Sequence, residues 1–330
     1  MPYTNFPDGV TSFGVPLPNG GLPLFNGNIY FVDAVNGSDG NTGQANNPFA
    51  SIGQAYTKMV DGHNDVCVIV GDGSTAATQR LSATLTWAKD ACHLIGMTAP
   101  VPIASRARIS TASGATTNLS PLVTVTAQGC IFANFSVFQG VGQAATDEQC
   151  WLEQGQRNYY LNVHIGGIGS ANGAARAGSY NLKLYGASEL YFRNCTIGLD
   201  TTTRSAANSN VLLRKNASAV ASTRNIFENC YFPMMTSAAT PIFIDANESG
   251  GIDRFALFKN CFFDNAVNST STAITAAVAF HASQGGTVVM DNCTLVGAND
   301  YTASDTATVK VAGPVPNGDT SGMAVSADTT

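Results

Sequence analysis

Charge is the scarcest commodity in this chain. Of its 330 residues only 12% are Asp, Glu, Lys or Arg, about half of the roughly 25% usual in globular domains. The formal net charge is −6, with 16 basic against 22 acidic residues. A chain so poor in Lys and Arg has no basic face with which to neutralise a phosphate backbone, which argues against nucleic-acid binding. No run of about 18 apolar residues occurs, so no membrane-spanning helix is expected. The opening MPYTNFPDGV has neither a basic stretch nor an apolar stretch of signal-peptide type, so no secretion signal is expected. Tryptophan occurs twice, which is sparse for a surface built to stack on sugars. In place of charge stand Gly, Ala, Ser, Thr and Asn, a composition suited to long sheets joined by many turns.

Cysteine is present but is placed wrongly for a disulfide framework. Most of the eight lie inside apolar runs, as in DVCVIV around Cys67 and KNCFF around Cys261, where a free thiol behaves as a small core hydrophobe. A chain of this length buries enough surface to fold without covalent staples, so reduced thiols are expected.

Four segments superpose: YFRNCTI (191–197), IFENCYF (226–232), LFKNCFF (257–263) and VMDNCTL (289–295). Cys195, Cys230, Cys261 and Cys293 recur at spacings of 35, 31 and 32 residues, counted from their positions in the sequence. The same register extends back through YYLNVHI (159–165) and IFANFSV (131–137), with Val163 and Phe135 at the cysteine position. The asparagines then form a series of six: Asn134, Asn162, Asn194, Asn229, Asn260 and Asn292. A period near 30 residues signals a repeat architecture. The segments lack 3.6-residue apolar spacing, which excludes helical solenoids, and show no paired Asn-Gly hairpin turns of the kind propeller blades want. Asn adopts the left-handed conformation more readily than other non-Gly residues, so it can bend one strand into the next without a loop. Stacked coils would place Asn at the corner and Cys inside.

This ladder resembles the right-handed parallel β-helix family, the fold of polysaccharide lyases and phage tailspikes. The stretch IYFVDAVNGSDGNTGQANNPFASIGQAY (29–56) resembles the strand, polar loop and short helix that precede many such solenoids. The fold expected is therefore all-β, a single-stranded parallel β-helix with a short N-terminal cap. Phe49, Ile52, Tyr56 and Met59 fall on one helical stripe behind Pro48, a good first-turn residue, and predict a helix that covers the open end of the first coil. Asp33, Asn36 and Asp39 in the intervening loop offer a cation-site alternative, though their spacing fits no Ca²⁺-loop template. Four parts are expected: an extended attachment arm over 1–28, the cap over 29–60, the β-helix over 61–311 and a flexible or wrapping tail over 312–330.

No cofactor and no metal site is expected, since the four histidines share no ligand spacing with the cysteines. Two acidic clusters merit attention because the resemblance includes polysaccharide-cleaving proteins and glycoside hydrolysis uses paired carboxylates. One is Asp147, Glu148 and Glu153 beside Trp151, an aromatic that could stack on a sugar. The other is Asp245, Glu248 and Asp253. Both read as inter-coil loops, and neither carries a diagnostic motif, so the reading leans away from an enzyme.

The stretch NFPDGVTSFGVPLP (5–18) in the arm resembles the leader of phage virion proteins encoded near the capsid genes. That resemblance implies a non-enzymatic protein of the virion, made in the host cytoplasm, that decorates or cements a phage capsid. Its partner would be the major capsid protein, contacted through Phe6, Pro7, Gly9, Phe13, Leu17, Leu22 and Phe25. Flat, weakly charged sheet faces predict a homotrimer. The alternative is a tailspike or tail-fibre protein that binds or depolymerises host polysaccharide.

Overall fold

A computed structural model describes residues 27–74, 76–112, 115–116, 118–143, 145–265, 272–303 and 308–313, with the backbone of the two-residue strands Thr11–Ser12 and Val15–Pro16. Those two short strands pair antiparallel. The contact residues expected in the arm, Phe6, Pro7, Gly9, Phe13, Leu17, Leu22 and Phe25, lie outside the described side chains, as do residues 314–330 of the tail.

The rest is a right-handed parallel β-solenoid. Three sheets run its length. The first has ten strands, from Ile29–Val32 to Val309–Ala312. The path of the second runs from Gln79–Leu81 to Thr294–Val296, and the third has seven strands, from Leu85–Trp87 to Val278–Phe280. The chain visits the sheets in that order seven times. Neighbouring coils pair in parallel and in register, for example Tyr160 with Phe192, Phe192 with Phe227 and Phe227 with Phe258.

The corner between the first and second sheets is built by asparagine. Asn134, Asn162, Asn194, Asn229, Asn260 and Asn292 all have φ between 50° and 58°, the left-handed region that Asn tolerates. Each donates its backbone N–H to the next coil, as Asn194 does to Glu228 O at 3.0 Å and Asn229 to Lys259 O at 2.9 Å. The side chains add a ladder of their own, with Asn162 Nδ2 donating to Asn134 Oδ1 at 2.8 Å and Asn292 Nδ2 to Asn260 Oδ1 at 2.9 Å. Sheet hydrogen bonding thus continues around the bend.

A second left-handed row marks the approach to the first sheet, at Arg157, Glu189, Arg224 and Arg254. Long side chains in this conformation carry strain, and here they also make exposed ion pairs: Arg157 Nε to Glu189 Oε2 at 2.8 Å and Arg224 Nη1 to Glu189 Oε1 at 3.3 Å. The residue types differ from coil to coil, so no sequence pattern announces this corner.

Inside, aromatic rings stack coil upon coil. Phe132, Tyr160, Phe192, Phe227 and Phe258 form a column with successive centroids 4.9, 4.3, 4.6 and 4.6 Å apart and nearly parallel planes. Beside it run Cys195, Cys230, Cys261 and Cys293, and all eight cysteines of the chain are buried and free. Burial pushes the Cys92 thiol up to about 11 and Cys130 up to about 12, which suppresses the reactive thiolate. Mass spectrometry of the unreduced protein should therefore find eight free thiols, and a thiol reagent should label them only after unfolding. A bond among the four ladder cysteines would refute this.

The N-terminal end is closed by Ile29–Val32, which pairs with Val66–Val70 as the first rung of the first sheet, and by the helix Ile52–Lys58. The helix begins later than the stripe implies. Ser51 caps it by accepting from Gln54 N, and Pro48 stands outside it. Phe49, Ile52, Ala55 and Met59 are buried against the first coil, while the Tyr56 ring packs tilted on Trp87, with centroids 4.8 Å apart. The acidic residues of the loop are spent on turns. Asp33 accepts from Val35 N and Asn36 N, and Asp39 from Ala50 N, Ser51 N and Ser51 Oγ. Among the described residues no group of three His, Cys, Asp or Glu could hold a metal ion, and no helix is long and apolar enough to cross a membrane.

Candidate binding cleft on the second sheet

The turns from the second sheet to the third are the long, variable ones, and in the second coil the connection from the first sheet to the second is long as well. That segment, residues 98–107, folds back along the outside of the second sheet: Ala104 N donates to His164 Nδ1 at 3.1 Å, two coils away. Between these walls lie two adjoining clefts. One, of about 340 Å³, is lined by Arg80, Arg108, Ser110, Thr111, Phe138 and Val141, among others. The other, of about 280 Å³, includes Ile103, Arg108, Phe138, His164, Leu199 and Asp200. Arg108 and Phe138 belong to both.

Strand geometry explains why these side chains converge. Within Arg108–Thr111, Ile109 points into the core, so Arg108 and Ser110 point out. Register then sets Arg108 beside Ser136 and His164, and His164 beside Thr196, Tyr231 and Phe262 in turn. Six rungs spaced by ~4.8 Å make this outward row about 24 Å long. Arg80 pairs with Ser110, and Ser110 with Phe138, in the adjacent row. The Phe138 ring is 39% exposed and sits where two glycines leave room: a Cβ on Gly140 or Gly169 would come within 2.5 or 2.8 Å of it. At the far end Tyr231 and Phe262 stack with centroids 5.3 Å apart, and Tyr231 Oη donates to Asp264 Oδ2 at 3.0 Å.

The electrostatics differ along the face. Arg108 has its pKa lowered by burial and by the neighbouring charges of Arg106 and Arg80. Arg80 Nη1 donates to Thr111 O at 3.2 Å. His164 is buried and held neutral: burial lowers its pKa, Nδ1 accepts from Ala104, and Nε2–H donates to Gly198 O at 3.0 Å. With both nitrogens engaged it is a wall of the cleft and not a free base. Asp264, near Asp200, is raised by burial and by that second carboxylate.

The carboxylates singled out from sequence lie elsewhere. Asp147 pairs with Arg176 at 3.0 Å, Asp245 with Arg214 at 2.8 Å and Asp253 with its neighbour Arg254 at 3.4 Å. Glu248 accepts from Lys215 N at 3.0 Å. Glu148 is buried, accepting from Gly169 N at 2.6 Å and Ser170 Oγ at 2.5 Å. Glu153 and Trp151 are not in a loop: Gln149–Glu153 is a strand of the third sheet, and both side chains point into the core. Trp151 packs among Phe132, Phe135 and Tyr160 and offers no face to a sugar. None of the six carboxylates lines either cleft. Sequence reading missed Arg80, Arg108, Phe138 and Asp200. The available signal was the alternation in RARIST and SVFQG, which turns Arg108 and Phe138 outward.

No protein-family model matches the chain, and no curated protein matches it. Among solved structures it is similar to the pectin methylesterase from Aspergillus niger in two deglycosylated forms, at 14% and 15% identity, each with 93% of both chains covered and a TM-score of 0.53. It is also similar to the pectin methylesterase PemA from Erwinia chrysanthemi at 13% identity, covering 82% of this chain and 66% of that one, with a TM-score of 0.38. At these identities the likeness is one of fold.

Proposed function

We propose that this protein binds a polysaccharide along the outer face of the second sheet. The carrying observation is the pair of adjoining clefts on that face, which share Arg108 and the exposed ring of Phe138, with the Tyr231–Phe262 stack farther along the same sheet. Saccharides present hydroxyls in the ring plane and C–H groups on the ring faces. A surface of hydroxyls, guanidinium groups and exposed aromatic rings matches both. The pectin methylesterase of like fold is itself named for a polysaccharide. Binding without cleavage fits the site better, since Asp200 is the one carboxylate among the described lining residues and glycoside hydrolysis uses two. Calorimetric titration against a panel of bacterial surface polysaccharides should find a ligand whose affinity falls roughly tenfold in Phe138→Ala, the equivalent of about 1.4 kcal/mol of ring contact. No binding across the panel, or an unchanged affinity in the variant, would remove this reading.

A second reading is decoration of a phage capsid by a homotrimer, for which the outer face of the first sheet offers a surface for self-association. There Tyr159, Tyr191, Ile226, Leu257 and Val289 form a half-buried apolar row on ten paired strands. Such a face suits packing against a second copy, with the arm attaching the protein to the shell at the virion surface. Deleting residues 1–28 should then leave a folded solenoid that no longer binds capsids; retained binding would move the contact onto the solenoid.

A further inference from the structure

The chain has ten arginines. Six of them, Arg157, Arg176, Arg193, Arg214, Arg224 and Arg254, lie within 4.0 Å of a carboxylate. Arg204 is buried, donating to Asn210 Oδ1 at 2.5 Å, with the charge of Glu148 near it. Of the three that remain, Arg80 and Arg108 line the larger cleft and Arg106 is near enough for its charge to act on Arg108, with no carboxylate in ion-pair range among the described residues. In a chain with 22 acidic residues and a net charge of −6, this is the one place among the described residues where arginines gather without a carboxylate partner. They repel one another there, so the fold bears an electrostatic cost that an external anion would relieve.

We propose that Arg80 and Arg108, with the nearby charge of Arg106 adding to theirs, form a receptor for a tetrahedral oxyanion, a phosphate or sulfate ester, carried on the bound saccharide. The inference rests on the saccharide reading for the sugar and on the arginine cluster alone for the anion. A carboxylate presents two oxygens along one edge, which a single guanidinium fork saturates. Here two forks reach the cleft from neighbouring strands, with outward-facing Ser110 between them and Thr111 also lining it. Donors on several sides require acceptor oxygens on several sides, which phosphate and sulfate esters supply. Thr111 O holds the Arg80 guanidinium by one nitrogen, leaving its other N–H groups for the ligand. Phe138 on the opposite wall would take the sugar face.

The test is calorimetry of the full chain with inorganic phosphate, inorganic sulfate, glucose 6-phosphate, glucose 6-sulfate, glucuronate and glucose, at about 0.01 and about 0.1 M salt. One of the two esters should bind roughly tenfold or more tighter than glucuronate and glucose, more weakly at the higher salt. Which ester wins identifies the anion. Arg108→Gln and, independently, the more exposed Arg80→Gln should each lose that preference, while Arg193→Gln on the first sheet keeps it. Glucuronate binding as tightly as the esters, or full ester affinity in both cleft variants, would overturn the proposal. Inorganic anion bound with no gain from the sugar would sustain the oxyanion site and sink the saccharide reading. Neutral saccharide bound with no preference for esters would do the reverse.

Discussion

Phe227→Ala should destabilise the solenoid by about 3–5 kcal/mol, the range for deleting a fully buried aromatic ring. Phe227 is wholly buried in the middle of the aromatic column, with its centroid 4.6 Å from both Phe192 and Phe258. Truncation opens a cavity between two rings that cannot collapse together, because sheet spacing fixes the rise per coil at ~4.8 Å. The measurement is the urea midpoint, compared with that of Phe262→Ala. Phe262 lies on the next coil but points outward and is 39% exposed, so its loss should cost less than about 1 kcal/mol. Equal shifts for the two variants would mean that the column contributes no more than a surface ring.

The second large effect concerns pH. Glu153 is fully buried inside the solenoid, accepting from Gly155 N at 2.7 Å, from Asn158 Nδ2 at 3.2 Å and from Tyr160 Oη. Burial outweighs these hydrogen bonds and pushes its carboxyl up to about 7. An unfolded Glu titrates near 4.3, so between about pH 4.3 and 7 the folded state holds a proton that the unfolded state has released. Stability from this group is therefore full below that window and falls as pH rises through it, by on the order of 3 kcal/mol. Two histidines act with the opposite sign. His93, pushed down to about 4, and His164, also lowered by burial, are neutral in the fold and oppose folding as pH drops below the ordinary histidine value. The difference between wild type and Glu153→Gln isolates the carboxyl. The two should be nearly equally stable at pH 4, and the variant should pull ahead by a few kcal/mol by pH 8, since the amide oxygen still accepts from Gly155 N and Asn158 Nδ2, and the NH2 group donates to Tyr160 Oη in place of the bond that Tyr160 donated, all without the charge. Stability curves that run parallel across this range would show that Glu153 has an ordinary pKa.

The two predictions sit on opposite sides of what could be read from residues alone. Phe227 was legible: it stands two residues before a corner asparagine in a segment that repeats, and period-2 alternation turns it inward. Glu153 was not. In ATDEQCWLEQ it looks like one more acid in a polar loop, and only the placement of Gln149–Glu153 as a strand of the third sheet turns it and Trp151 into the core.

The sequence by itself determined the coil. The asparagine corner is a local requirement on φ, the inward aromatic or cysteine beside it is a local requirement on burial, and both recur every 31–35 residues from Cys195 onward, so the repeat is visible without coordinates. Only the tertiary structure decided the cleft. Arg80, Arg108, Phe138, His164 and Asp200 come from five successive coils and meet because parallel register stacks positions about 30 residues apart. No periodicity constrains outward-facing residues, since solvent accepts almost any side chain there. The long turns that wall the cleft likewise differ in length from coil to coil, and where the 98–107 segment lies is set by contacts with later coils, from Asn134 to Thr98 O, Ser136 to Ser105 O and Ala104 to His164.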